Sequence, residues 1–452
     1  MRTGFVSMWS GFALLALHLS VFVYGRNYSE YSVCRFEDES QFGEVLSQLQ
    51  DLAMIKQEFE FDVWSQSRSH GFMDVRVHKD ILEKFPSCKV IIEDLDSAIS
   101  ESHPKKSDPD VKLTDENVDN LAQVQDFFDT SSGKPREIFF DEYRDLDTIY
   151  TWLDLLQLSF PDLVTIEWTG QTFEGRDLKA LHISTQNRKK NPDKKTIIIT
   201  GGVHAREWIS VSTVCYTIFQ LLSRYGESKT ETRFLDHLDF LVIPVFNPDG
   251  YVYTWTHDRL WRKNRQQTYF PRCFGIDIDH SFNYHWTGSN NFPCSEDYSG
   301  RAPFEALEAE SWDNYVNKAK SEYNIHGYLD IHSYAQEILY LYGFSCDALP
   351  RDLENLLELA YGLSKAIRHE SGKNYKVLSS CEDRGSDVQP GLGACSALDY
   401  MYNHRAYWAF QLKLRDTGNH GFLLPSKFIV PVGEETYAAV QYFCEFILDP
   451  DL

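Results

Sequence analysis

Apolar and polar positions divide the chain into two unequal parts. "ESQFGEVLSQLQDLA" (39–53) repeats its apolar residues at helical spacing, with acidic residues in the first turn. "EFEFDVWSQ" (58–66) and "CKVIIEDLD" (88–96) alternate or run apolar as strands do. Together these predict a small α+β unit over 26–101. Residues 102–135 are polar, acidic and poor in large apolar side chains, with one helical stretch near Val118 to Phe128, and read as a linker.

From Arg136 to the end, residues 136–452, strand and helix patterns alternate. "TIIITGG" (196–202) is a β-branched run closed by two glycines, followed by the helical pattern "EWISVSTVCYTIFQLLSRYG". "FLVIPVFNPDGY" reads as a strand and then a turn at Pro248-Asp249-Gly250. "GYLDIHSY" and "AYWAFQLKLRDTG" are further strands, and "EETYAAVQYFCEFIL" is a closing helix. Near-continuous apolar strands between helices predict an α/β domain whose mixed sheet is covered on both faces. One residue breaks the pattern: Lys413 lies inside a buried strand, on the same side as Gln411.

The chain has 452 residues, 42 % of them hydrophobic, and a net charge of −23, with the acid concentrated before about residue 165. That balance argues against a nucleic-acid partner, which requires a basic surface. Residues 1–25 read as a signal peptide: Arg2, an apolar run from Met8 to Tyr24, then Val23 and Gly25 at cleavage-site spacing. No later stretch is apolar enough to span a membrane, so none is expected after cleavage.

A secretory start lets the nine cysteines pair. Cys273 and Cys294 flank a polar loop and are expected to bridge. Cys34 with Cys88 is a second candidate and Cys381 with Cys395 a weaker third. Cys215 and Cys444 sit in apolar helical patterns and are expected as buried thiols, and Cys346 has no obvious partner. Asn27-Tyr28-Ser29 is a glycosylation sequon, and Lys134-Pro135-Arg136 is a basic spot near the domain boundary.

His204-Ala205-Arg206-Glu207 follows the first central strand, so a turn presents two metal-ligand types three residues apart. Two histidines and a carboxylate with an open position form a common catalytic zinc set, and His332 in "DIHSY" fits as the third ligand. Alone, the short motif is weak and reads better as a solvated loop. In company it is not: "HAREW", "FNPDGY", "LWRKNR", "CSEDYSG", "IHSY" and "LRDTGNHGFLLP" occur in one order. From about residue 136 the chain resembles the zinc carboxypeptidases of the pancreatic A/B type, and residues 26–101 resemble, less specifically, their propeptide.

The resemblance implies an eight-stranded-type mixed sheet flanked by helices, preceded by a ferredoxin-like propeptide-type domain that shields the cleft. It implies one Zn²⁺ per chain on His204, Glu207 and His332. Arg206, Arg262, Ser333 and Tyr334 match family substrate-cleft positions beside Ala205, with Arg262 the oxyanion arginine. The chain departs from the family at three places. Asp279 and His280 stand where Asn-Arg clamps the substrate carboxylate, Gly391 or a neighbour stands where a tyrosine caps the cleft, and Lys413 stands where a glutamate is the general base. Asp279 is expected to repel a terminal carboxylate and to be a partner for Lys413.

This pattern is similar to the fungal carboxypeptidase-like proteins regarded as inactive, linked to the vacuole, the secreted space and cell-wall organisation. The resulting expectation is a monomeric, zinc-binding pseudoenzyme with an unidentified peptide or protein partner. An active hydrolase of altered specificity and a scaffold with structural zinc are the alternatives.

Overall fold

The computed structural model describes residues 25–55, 60–104, 137–185, 194–287, 292–319, 322–384, 393–404 and 406–449. The predicted signal peptide up to Tyr24, the helix near Val118 to Phe128, the basic spot at 134–136 and Gly391 lie outside them.

The N-terminal unit is a four-stranded antiparallel sheet in the order β2-β3-β1-β4, from β1 (Tyr31–Phe36), β2 (Asp62–Ser67), β3 (Phe72–His78) and β4 (Lys89–Ile92). The helix Phe42–Ile55 lays Phe42, Val45 and Leu49 on one face, against Phe36, Met73 and Val75. Between β3 and β4 the connection is a short 3₁₀ helix, Lys79–Lys84, and the second α-helix, Leu95–Ser102, follows β4. The other face carries Val33, Trp64, Phe72 and Ile92 into a cluster with Leu260, Tyr334, Phe422 and Leu423 of the large unit. β1 and β3 escape a hydrophobic-pattern search because Arg35, Asp74 and Arg76 interrupt them. Asp74 and Arg76 are nevertheless buried, since their partners come from the rest of the fold.

The large unit is an eight-stranded sheet in the order β11-β10-β12-β9-β7-β8-β6-β5. Its strands are β5 (Val164–Gln171), β6 (Asp177–Ile183), β7 (Lys195–Gly201), β8 (Leu238–Ile243), β9 (Asn324–Ser333), β10 (Glu337–Tyr340), β11 (Lys376–Ser379) and β12 (Trp408–Leu414). β8, β7, β9 and β12 run parallel at the centre, and β5, β6 and β10 pair antiparallel around them. The chain leaves β7 toward β8 on one side and returns to β9 on the other. That order reversal opens a crevice at the carboxyl ends of β7 and β9.

Helices Trp208–Ser223 and Ile429–Leu448 pack against each other and over these strands. The approach is close: a Cβ on Gly327 of β9 would lie 2.6 Å from the Phe443 ring. Pro248-Asp249-Gly250 is not the expected turn. It opens the helix Pro248–Thr256, because the Asn247 side chain accepts the Gly250 N–H and proline suits the first helical position.

Cys34–Cys88, Cys273–Cys294 and Cys346–Cys381 are bonded, and Cys215, Cys395 and Cys444 are buried thiols. Cys381 therefore pairs with Cys346 rather than Cys395. Parallel pairing of β10 with β11 brings the segments after both strands together, with the two Cα atoms 5.4 Å apart. Asn27 is exposed, its side chain accepting the Ser29 N–H. No helix among the described residues is long and apolar enough to cross a membrane.

Glu308 is fully buried and accepts a hydrogen bond from Asn264 at 2.7 Å. Burial pushes its carboxyl up to about 7 against that bond. A folded-state value above the unfolded one means stability is present in acid and lost as pH rises through 7. Glu308→Gln is expected to raise the unfolding free energy at pH 8 by on the order of 3 kcal/mol and to change it little at pH 4.5. Chemical denaturation at the two pH values checks this.

Candidate metal centre

The turn after β7 is built for close packing. Gly202 adopts φ +65°, and a Cβ there would lie 2.8 Å from Val211, as one on Gly201 would from Val214. This tight strand-to-helix turn places His204 and Glu207 at the crevice. The Ala205 N–H donates to the Arg262 carbonyl, and the Asn247 side chain donates to the Val203 carbonyl, which fixes the loop. His332, at the end of β9, faces them.

His204, Glu207 and His332 are buried, and their donor atoms lie within 4.8 Å of one another. Both histidines point Nδ1 inward. His204 Nδ1 is 2.8 Å from Glu207 Oε1, His332 Nδ1 is 3.1 Å from Glu207 Oε2, and the two Nδ1 atoms are 3.2 Å apart. Each Nε2 faces a buried carboxylate, Asp277 at 3.1 Å for His204 and Asp330 at 3.0 Å for His332. With the proton of each ring on Nε2, two lone pairs and a carboxylate converge on one point. Such a donor set fits a metal ion, and the carboxylates beside the Nε2 atoms are placed as partners of metal-bound histidines are.

Without a metal, the histidines and carboxylates of the centre stabilise one another's charges. Burial alone would raise the Glu207 carboxyl, but His204 and His332 hold it well below the usual range. Burial would lower the His332 imidazole, yet Asp330 and Glu207 lift it to about 10. Two histidines and one carboxylate with room left for another ligand suit Zn²⁺.

The centre opens into a cavity of about 260 Å³ whose wall includes Arg262, His280, Ser333, Tyr334, Gln411 and Lys413. Arg262 donates to Asp277 at 2.8 Å. The Ser333 N–H donates to Glu207. His280 Nδ1 lies 3.0 Å from the Ala394 carbonyl. Arg206 is only 1 % exposed: it donates to Asp62 at 2.6 Å and lies over the Phe422 ring.

Two expectations fail here. Asp279 does not line the cavity. Its carboxylate accepts the Ala397 N–H and lies behind His332, grouped with Asp330. Lys413, expected beside Asp279, meets two other carboxylates. Lys413 Nζ is 2.5 Å from Asp383 and 3.4 Å from Glu337. Strand register decides this, since Lys413 lies directly across from Glu337 of β10 and beside His332 of β9.

The N-terminal unit lies over the mouth, with Val63, Trp64, Ser65 and Gln66 in the cavity wall. Asp62 reaches Arg206, Asp74 accepts the Tyr334 hydroxyl at 2.7 Å, and Arg35 binds Asp74 and the Thr417 carbonyl. Arg206 and Arg76 hold the Asp62 carboxyl low although burial opposes them. Asp62→Asn is therefore expected to cost about 2 kcal/mol, the scale of a charge-assisted hydrogen bond. Denaturant midpoints of the intact protein check it, and the loss should shrink in acid, where the wild-type carboxyl is itself protonated.

A family model described as zinc carboxypeptidase matches residues 149–439. The chain belongs to the zinc carboxypeptidase family. It is 56 % identical over 451 residues to a Saccharomyces cerevisiae protein named "Inactive metallocarboxypeptidase ECM14", covering 99 % of both. An Arthroderma benhamiae protein of the same name is 40 % identical, over 86 % of this chain and 70 % of its own length. Among solved structures, thrombin activatable fibrinolysis inhibitor superposes with TM-score 0.74 at 24 % identity, covering 94 % of this chain and 100 % of that one, which supports the fold. Carboxypeptidase A from Helicoverpa armigera gives 0.72 at 25 %, covering 92 % and 97 %.

As a family member the chain keeps a candidate metal set and a cleft. The sequence misses the outer carboxylates Asp277 and Asp330, the lysine partner Asp383 and the Arg206 partner Asp62. Asp330 offers a faint signal, two residues before His332 on one strand and therefore on the same side.

Proposed function

We propose that this chain is a catalytically inert carboxypeptidase-like protein that binds one Zn²⁺ through His204, Glu207 and His332 and acts by holding a peptide or protein partner. Zinc, when bound, supplies Lewis-acid chemistry to a peptide carbonyl. The remaining parts must come from the chain, and Lys413 is the observation that carries the reading. An ionised ammonium has no lone pair to accept a proton, and Lys413 is ion-paired with Asp383 and Glu337. His280 lacks the bidentate fork with which arginine grips a carboxylate. Arg262 keeps its place but is tied to Asp277.

Three disulfides and the leader-like N-terminus support passage through the secretory pathway, with the vacuole or the secreted space as destination. A role in cell-wall organisation and a monomeric state complete the reading, with no nucleic acid as partner.

Incubation with peptides ending in apolar, basic or acidic residues, with zinc present, is expected to release no C-terminal residue above background. Zinc-dependent release that Glu207→Ala abolishes would overturn the proposal in favour of a hydrolase with altered specificity.

A further inference from the structure

Lys413 has surroundings that the loss of a proton acceptor does not explain. Its neighbour Glu337 is fully buried, on β10. One oxygen, Oε2, faces Lys413 Nζ at 3.4 Å. The other, Oε1, accepts two hydroxyls from the N-terminal unit, Ser67 and Ser69, each at 2.6 Å. The His70 Nδ1 lies 3.7 Å from the same oxygen, and the Ser69 carbonyl accepts from Lys376 of β11. Asp383 completes the group from the helix Ser380–Arg384, which the Cys346–Cys381 bridge ties to the segment after β10. A lysine, two carboxylates and the turn after β2 therefore form one network across the contact between the two units.

We propose that Lys413 is a positioning residue for an interaction surface whose partner is the chain's own N-terminal unit. It keeps Glu337 ionised, and ionised Glu337 binds the Ser67–Ser69 turn. A hydroxyl donated to a carboxylate is roughly twice as strong as one donated to a neutral acceptor. Glu337 can ionise in a buried place only beside a cation. A glutamate at position 413 would place a third negative group against Glu337 and Asp383. Glu337 would then hold a proton, and the serines would face a weaker acceptor. The residue that removes the general base thus also fastens the unit that lies over the cleft. This role does not depend on zinc or on the absence of hydrolysis.

The full chain is the test object, with a protease site placed within 105–136 and cut after purification. Release of the N-terminal fragment is followed by native size exclusion over time. Lys413→Ala is expected to speed release at least about tenfold, and Lys413→Arg, which keeps the charge, to stay within about threefold of the parent. Ser67→Ala/Ser69→Ala leaves the large sheet untouched and is expected to speed release to a similar degree. In a Glu337→Gln background, Lys413→Met is expected to add little. A chain in which Lys413→Ala, or the double serine variant, releases the fragment no faster than the parent overturns the proposal. So does a full additional effect of Lys413→Met in the Glu337→Gln background.

Discussion

Replacing His332 by alanine is expected to lower zinc affinity by more than about a thousand-fold. Loss of a partner in the outer shell of a zinc site typically costs ten- to a hundred-fold, and here an inner donor is removed. Only His204 and Glu207 would remain, and two protein ligands hold zinc poorly. Asp277→Asn and Asp330→Asn leave all three donors in place and release the His204 and His332 rings, so each should fall in the smaller range. Competition with a chromophoric chelator measures all four proteins. Chelation of the parent should also lower its thermal midpoint, because the metal binds the folded state only. Zinc at a thousand times its Kd contributes about 4 kcal/mol. Equal zinc affinity in the parent and His332→Ala would remove His332 from the site.

The trio His204, Glu207 and His332 was legible in the sequence through the ordered family motifs around it, since the short local motif alone points no further than a loop. A β-branched run closed by two glycines sets the strand end, and the histidine and glutamate follow within a turn. His332 stands at the end of a second strand, β9. The departures at His280 and Lys413 were legible for the same reason, as single wrong residues in motifs of fixed order. The partners of those residues were not. Asp383 is thirty positions from Lys413 and arrives through the β10–β11 pairing and a disulfide.

The N-terminal sheet shows the other limit. β3 reads "FMDVRVH", and two charges in seven residues hide a strand. Asp74 and Arg76 face inward because Arg35, Tyr334 and Asp62 meet them there. Hydrophobic alternation reports burial against apolar neighbours and is blind to burial against charged ones. Asp279 failed for a related reason. Its neighbour His280 takes the cavity wall, while Asp279 turns back toward the Ala397 N–H.

That arrangement changes why a one-residue repair should fail. Lys413→Glu restores a carboxylate beside the metal centre and is nevertheless expected to give no peptide release above background. The new group would stand near the position of Nζ, which is 2.5 Å from Asp383 and 3.4 Å from Glu337. Like charges about 4 Å apart at an effective dielectric of 20 repel by roughly 4 kcal/mol. Such repulsion raises a carboxyl by about three pH units, so the new group would share a proton with Asp383 and Glu337 at neutral pH instead of standing fully ionised. His280 would still lack a fork for the substrate's terminal carboxylate, and Val63 to Gln66 would still line the mouth. Removing the rival charge with Asp383→Asn and restoring the fork with His280→Arg address the first two obstacles, and cutting within 105–136 addresses the third. Weak zinc-dependent release of C-terminal residues is expected only from Lys413→Glu/Asp383→Asn/His280→Arg after that cut. Robust turnover by Lys413→Glu alone, uncut, would mean that neither the rival carboxylates nor the covered mouth disables the cleft, and that the natural chain is a hydrolase silenced at one position.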